Sequence, residues 1–243
     1  MSLIPVDVDY IHAASPYNSK DGAVFVAGKD GMDYVAKLPL PHAPHLPAAE
    51  SIAYWISGRL GIAVPACAWL KFEDGRFAFG SRWESGVQQF TRLDADDRQQ
   101  AFMNCRSHIS RFCLLDVFLS NPDRHADNLL FRRSPLDNRW TVINIDFSRA
   151  LWAGGFPDKP LAESAKEGNT GATMHLLLAL QSFDATMLTS IAAGLISITK
   201  DQVANMVAEI PDAARTSEAI NLPAWWESQA RMDRITELTE LFK

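Results

Sequence analysis

One polar stretch constrains this chain more than any other: Asn121-Pro122-Asp123-Arg124-His125-Ala126-Asp127-Asn128, followed later by Ile143-Asn144-Ile145-Asp146-Phe147-Ser148. The segment before it, Ala95 to Ser120, carries Phe102, Cys105, Ile109, Phe112, Leu115 and Leu119 at helical intervals, which predicts one long helix. Asn121-Pro122 ends that helix, because the residue before a proline is disfavoured in the helical region. Asp123 therefore falls in a short loop just past a buried helix. Leu129 to Arg132 reads as a strand, Ser134 to Asn138 as a turn, and Trp140 to Ile145 as a second strand. A hairpin of this kind brings its open ends together, so Asn128 and Asp146 are expected side by side, with Asp123 close by.

Those residue types suit metal-assisted phosphoryl transfer. Mg²⁺ takes hard oxygen ligands and keeps several waters, so one carboxylate (Asp146) and one amide oxygen (Asn128) suffice beside ATP phosphates. A separate carboxylate, Asp123, is then placed to orient an acceptor hydroxyl or take its proton. Each of the three alone also reads as a turn, cap or strand-end residue. Their combination with a lysine upstream is what singles them out.

That lysine is Lys37, in Tyr34-Val35-Ala36-Lys37-Leu38. Strand alternation puts it on the face shared with Val35. A lysine in an apolar strand is costly to bury without a negative charge, which ATP phosphates would supply. An edge-strand lysine that discourages aggregation is the other reading. The neighbouring elements also read as β-rich: strands over 6–11, 23–27, 33–38, 66–72 and 76–82, and one helix starting near Pro47 and ended by Gly61. Glu50 falls in the expected first turn of that helix and is its only acidic residue. Taken alone, it could simply interact with the helix dipole.

The motif Asp123-Arg124-His125-x-x-Asn128, followed by Ile145-Asp146-Phe147-Ser148, resembles the catalytic and metal-binding loops of HipA-like kinases. It is also similar to the Asp-Arg-His-x-x-Asn signature of phosphatidylinositol 3/4-kinases. The resemblance runs from about Tyr10 to Trp152 and thins after Gly155. It implies a two-lobed, protein-kinase-like α+β fold, with a small lobe over 1–83 and a mostly helical lobe over 84–243. It also implies that Glu50 pairs with Lys37 and holds it on the phosphates. Residues 15–22 would be the phosphate-covering loop, contacting phosphates through Ser19 and Gly22; with one glycine in place of the usual repeat, a plain surface hairpin fits equally well. Gly80-Ser81-Arg82-Trp83 would be the hinge that meets adenine. Trp83 fits core packing as readily as an adenine platform.

The activity implied is a serine/threonine protein kinase using ATP and Mg²⁺. Its expected partners are a protein substrate and an antitoxin-type protein, and Ser15 and Ser19 are available for self-inhibitory phosphorylation. A lipid or small-molecule kinase, and a nucleotide-binding regulatory pseudokinase, are the alternatives. His125 is expected to be structural and Asp127 to face solvent. Composition narrows the field. The net charge is −6 over 243 residues, which opposes nucleic-acid or membrane binding through the global field. No run is long and apolar enough for a membrane span. The three cysteines, Cys67, Cys105 and Cys113, lie in apolar surroundings and read as free thiols of a reducing, cytoplasmic compartment. Past residue 157, the segment 158–171 reads as polar and mobile. Helices are expected over 174–181, 185–195 and 199–209, and a last one from Pro223 to Phe242, with Trp225 and Trp226 as packing anchors.

Overall fold

Short β-branched and aromatic runs punctuated by turn residues build the first part of the chain as strands β1 (Val6–Ile11), β2 (Val24–Gly28), β3 (Asp33–Lys37), β4 (Cys67–Lys71) and β5 (Phe77–Arg82). Between β3 and β4 runs helix α1 (Leu46–Arg59). The computed structural model describes residues 4–13, 22–150, 161–166, 168–179 and 182–241.

The strands close into a barrel in the order β1-β2-β3-β5-β4. Closure comes from a parallel pairing of β1 with β4, Val6 opposite Leu70. The β-rich first part with one helix is as expected, but its five strands form a closed barrel instead of the sheet of a protein-kinase small lobe. Alternation explains how the barrel fills. Val26, Tyr34, Ala36, Leu70 and Ala78 point inward and form their own apolar cluster. Gly80 leaves room for that interior, since a Cβ there would lie 2.5 Å from Leu70 Cδ1 and force it to shift. The opposite face of β3 and β5 carries Val35, Lys37, Phe79 and Ser81, all of which line the cleft described below.

The second part begins with β6 (Gln88–Gln89), α2 (Ala95–Asn104) and α3 (Arg106–Phe118), then β7 (Leu129–Arg133) and β8 (Trp140–Asn144). The expected hairpin forms in register, with Leu129 opposite Asn144, and β6 extends it to three strands. The expected single helix over 95–120 is two, interrupted at Cys105 (φ −99°, ψ 6°). No glycine or proline marks that break. Helix α3 stops earlier than the proline, through a Schellman-type end: Ser120 adopts φ 52° and Asn121 N donates to Asp116 O at 2.8 Å.

The helices that follow are α4 (Leu161–Ser164), α5 (Gly168–Ala179), α6 (Thr186–Ser197), α7 (Lys200–Ala208), α8 (Ser217–Glu227) and α9 (Gln229–Leu241). Within 158–171, Leu161–Ser164 is helical and α5 begins at Gly168. The last helix is also two, with Pro223 inside α8. Helix α7 starts on a capping box between Thr199 and Gln202. Helix α3 is the centre, in contact with α4, α5, α6 and α9. Its last carbonyls, Val117 O and Phe118 O, accept from the buried Arg234 of α9 at 3.0 and 2.7 Å. Trp226 is fully buried, as expected of an anchor, and its indole donates to Ile198 O. One continuous apolar cluster runs from α1 through β4, β5 and the helices to Leu238. Cys105 and Cys113 are buried free thiols, and Cys67 is a half-buried one. No helix among the described residues is long and apolar enough to cross a membrane.

Candidate functional site

A cleft of about 320 Å³ lies between the outer face of β3 and β5 and the loops that flank β7 and β8. Lys37, Glu50, Asp123, Asn128 and Asp146 all line it. Five residues singled out in the sequence therefore meet in one place. Gly22 is exposed at φ 63° and adjoins Ala23, which lines the cleft, but is not itself among the lining residues. Ser15 and Ser19 lie outside the described residues. Ser81, Arg82, Trp83 and Glu84 form one wall. Trp83 there packs edge-on against Phe25, and its backbone N–H donates to Asp33 O.

Lys37 sits at the end of β3, where alternation turns it out of the barrel. Its Nζ donates to Glu50 Oε1 at 2.5 Å and to Asp146 Oδ1 at 2.6 Å. Glu50 is the fifth residue of α1, past the first turn, and is almost wholly buried. A helix-dipole role is thereby replaced by a specific one: Glu50 Oε1 accepts from both Lys37 and the backbone N–H of Phe147 (2.9 Å). Burial works against the Lys37 charge, yet Asp146 and Glu50 outweigh it and raise its pKa. Burial also opposes the Asp146 carboxylate, but Lys37 and Ser148 hold it well below the usual carboxylate range. At Glu50 burial prevails and the pKa is raised.

Asp146 occupies the left-handed region, φ 64°, which is uncommon for a residue with a side chain. Ser148 Oγ donates to its Oδ1 at 2.7 Å, and Arg124 fixes the backbone on either side. Arg124 is fully buried. It makes a two-pronged pair with Asp116 of α3 (Nε to Oδ2 2.6 Å, Nη2 to Oδ1 3.1 Å) and donates to Ile145 O and Asp146 O. Asn121 Nδ2 adds a third bond to Asp116 at 2.6 Å. The sequence reading assigned no role to Arg124 and passed over Asp116. The available signal was an aspartate four residues after Phe112, on the buried side of an apolar helix.

Asp123 is held through its backbone and its side chain. Its carbonyl accepts from Asn128 Nδ2 at 2.9 Å and from His125 N at 3.0 Å. Its carboxylate accepts from Asn169 Nδ2 at 2.7 Å, and Arg149 Nε lies 3.8 Å from the other oxygen. Asp127 is half-buried rather than solvent-facing, and accepts from Thr91 N and Oγ1. His125 lines the cleft and its backbone closes the turn to Asn128.

A divalent cation could be held by Asn128 and Asp146. The amide nitrogen of Asn128 is committed to Asp123 O, which leaves its oxygen as the donor to a metal. The Asp146 carboxylate is kept ionised by Lys37. Ile145 N donates to Asn128 O at 3.0 Å, so the two ligand-bearing segments are hydrogen-bonded neighbours. Among the described residues there is no cluster of three or more histidine, cysteine or acidic side chains that could form a self-sufficient metal cage. The donor set fits a Mg²⁺ whose shell is completed by water and phosphate.

No family profile and no curated protein matches the sequence. Solved structures do resemble the fold. The proinflammatory kinase CtkA of Helicobacter pylori superposes with a TM-score of 0.61 at 13% identity, over 98% of this chain and 99% of that one. HipA of the toxin–antitoxin system of Shewanella oneidensis MR-1, solved with HipB and operator DNA, gives a TM-score of 0.50 at 13% identity, over 98% of this chain. This chain spans 65% of that HipA. The resemblance to HipA-like proteins therefore holds for the fold of nearly the whole chain, including the helices after residue 155 where the motif likeness thins.

Proposed function

We propose that this chain is an ATP- and Mg²⁺-dependent phosphotransferase, a serine/threonine protein kinase of the HipA type. The observation that carries the reading is Lys37, buried and bridging Glu50 of α1 and Asp146 of the turn after β8. A surface lysine that only limits aggregation has no need of two buried or half-buried carboxylates. The likeness of the fold to CtkA, itself named a kinase, supports the same reading.

In this reading the nucleotide base lies against the apolar wall made by Val35, Leu130 and Ile145, near the backbone of 82–84. Lys37 orients the phosphates, and Glu50 holds Lys37. Asn128 and Asp146 hold Mg²⁺, which when bound neutralises charge on phosphate oxygens. Asp123 aligns the acceptor hydroxyl and takes its proton. The acceptor oxygen forms a bond to the γ-phosphorus, the bridging oxygen–phosphorus bond breaks, and ADP leaves. Positioning and charge stabilisation supply the acceleration. The barrel with α1, residues 1–83, serves as the small lobe, and 84–243 as the large one. A protein serine or threonine is the proposed acceptor, in the cytoplasm. The HipA–HipB complex makes an antitoxin-type partner the natural one to seek.

The test is transfer of label from γ-labelled ATP with Mg²⁺, with ATP binding measured separately. Wild type is expected to label serine or threonine. Asp146→Ala should lose both Mg²⁺-dependent ATP binding and transfer. Asp123→Asn should still bind ATP while transfer falls by about 10²–10⁴-fold. Wild-type protein that fails to bind ATP would overturn the proposal.

A further inference from the structure

Asn169 reaches Asp123 from helix α5, 46 residues further along the chain, with Nδ2 2.7 Å from Asp123 Oδ1. An ionised carboxylate only accepts, so the amide nitrogen must be the atom that faces it. The first turns of α5 are fastened to the loop that carries Asp123. Gly168 adopts φ 53°, and a Cβ there would lie 2.4 Å from Pro122 O, so only glycine allows this approach. Thr170 N donates to Pro122 O at 3.2 Å. The Thr170 hydroxyl donates to Asn121 O at 2.5 Å and accepts from Arg124 N at 2.9 Å. Thr173 Oγ1 donates to Arg124 O at 2.8 Å. Residues on both sides of Asp123 are thus tied to α5, and Asn169 is delivered to its carboxylate by a fixed frame.

The other carboxylate oxygen is less committed. Arg149 approaches it only to 3.8 Å, beyond hydrogen-bond reach, so that pairing is weak. We infer that Asn169 is a positioning residue for the phosphoryl transfer proposed above: it locks one oxygen of Asp123 so that the other faces the acceptor hydroxyl. The inference rests on that reading of the cleft. It explains why α5 is clamped to this loop by hydrogen bonds on both sides of Asp123 instead of by apolar packing alone.

Asn169→Asp separates this role from a structural one. An acidic residue in the first turn of a helix is favoured by the helix dipole. If Asn169 served only α5, Asn169→Asp would be as good as wild type. As a donor to Asp123 it would instead place a second acceptor against a carboxylate. With γ-labelled ATP and Mg²⁺, counting label released to water or transferred to protein, Asn169→Ala is expected to turn over about 10-fold more slowly and Asn169→Asp at least about 100-fold more slowly. Affinity for ATP should stay within about twofold, and the melting temperature of Asn169→Ala should stay close to that of wild type, because the bond to Asp123 is solvent-exposed. Turnover of Asn169→Asp within about threefold of wild type would overturn the inference and leave the kinase reading standing. Loss of turnover by Asn169→Ala in step with loss of its melting temperature would overturn it too. Absence of ATP binding by wild type would remove the kinase reading and this inference together.

Discussion

Lys37→Met is expected to lower phosphoryl transfer by about 10²–10³-fold, the usual effect of removing one preorganised donor at a site of developing charge. It is also expected to destabilise the fold by about 3 kcal/mol, because it strands a carboxylate that folding has already taken out of water. Glu50 is the costlier of the two partners, at 2% exposure against 32% for the Asp146 side chain. Asp146 can turn to solvent, to Ser148 or to a cation. Among the described residues, Glu50 has only Lys37 and the Phe147 N–H. The double change Lys37→Met with Glu50→Gln should therefore recover most of the stability in urea unfolding, since a glutamine oxygen still accepts from Phe147 N. It should recover none of the transfer. A double variant no more stable than Lys37→Met would mean that Glu50 is not the stranded charge. Full transfer by either variant would remove Lys37 from the phosphates.

The contrast between what the chain announces and what it hides follows from how each contact is encoded. Alternation in 34–38 was enough to place Lys37 on the cleft face, because period-two patterning is local. The hairpin that joins Asn128 to Asp146 was legible for the same reason: a turn of polar residues lies between two apolar strands. Glu50 was legible as the only acid on α1, although its position past the first turn was not. The barrel was hidden, because the β1–β4 pairing depends on residues 64 apart, such as Val6 and Leu70, and strand composition does not encode a distant partner. The break at Cys105 carries no glycine or proline, so nothing in the local sequence announces it. Asn169 was hidden for another reason. Its helix begins at Gly168, a residue that reads as a loop former until the close approach to Pro122 is seen.

Arg124→Met is expected to cost about 3–5 kcal/mol, as breaking a fully buried ion pair does. A domain of this kind has only about 5–15 kcal/mol in all, so loss of soluble protein at 37 °C is an accepted form of the same result. Here, unlike at Lys37, removing the partner charge should not rescue. Arg124→Met with Asp116→Leu takes away the stranded carboxylate, but Ile145 O and Asp146 O still lose their donor in a partly buried site, at about 1 kcal/mol each. Asn121 Nδ2 loses its acceptor as well. Those carbonyls flank the left-handed Asp146, so the turn that presents the proposed metal ligand should loosen before the domain unfolds. Arg124→Lys keeps the charge but not the planar fork, and should fall between wild type and Arg124→Met in urea unfolding. Mg²⁺-dependent ATP affinity of Arg124→Lys, measured well below its unfolding midpoint, should weaken by up to about 30-fold if both bonds to the turn are lost at about 1 kcal/mol each. Unchanged affinity together with reduced stability would confine Arg124 to the core. Full rescue by the double variant would show that the backbone bonds add nothing beyond the ion pair.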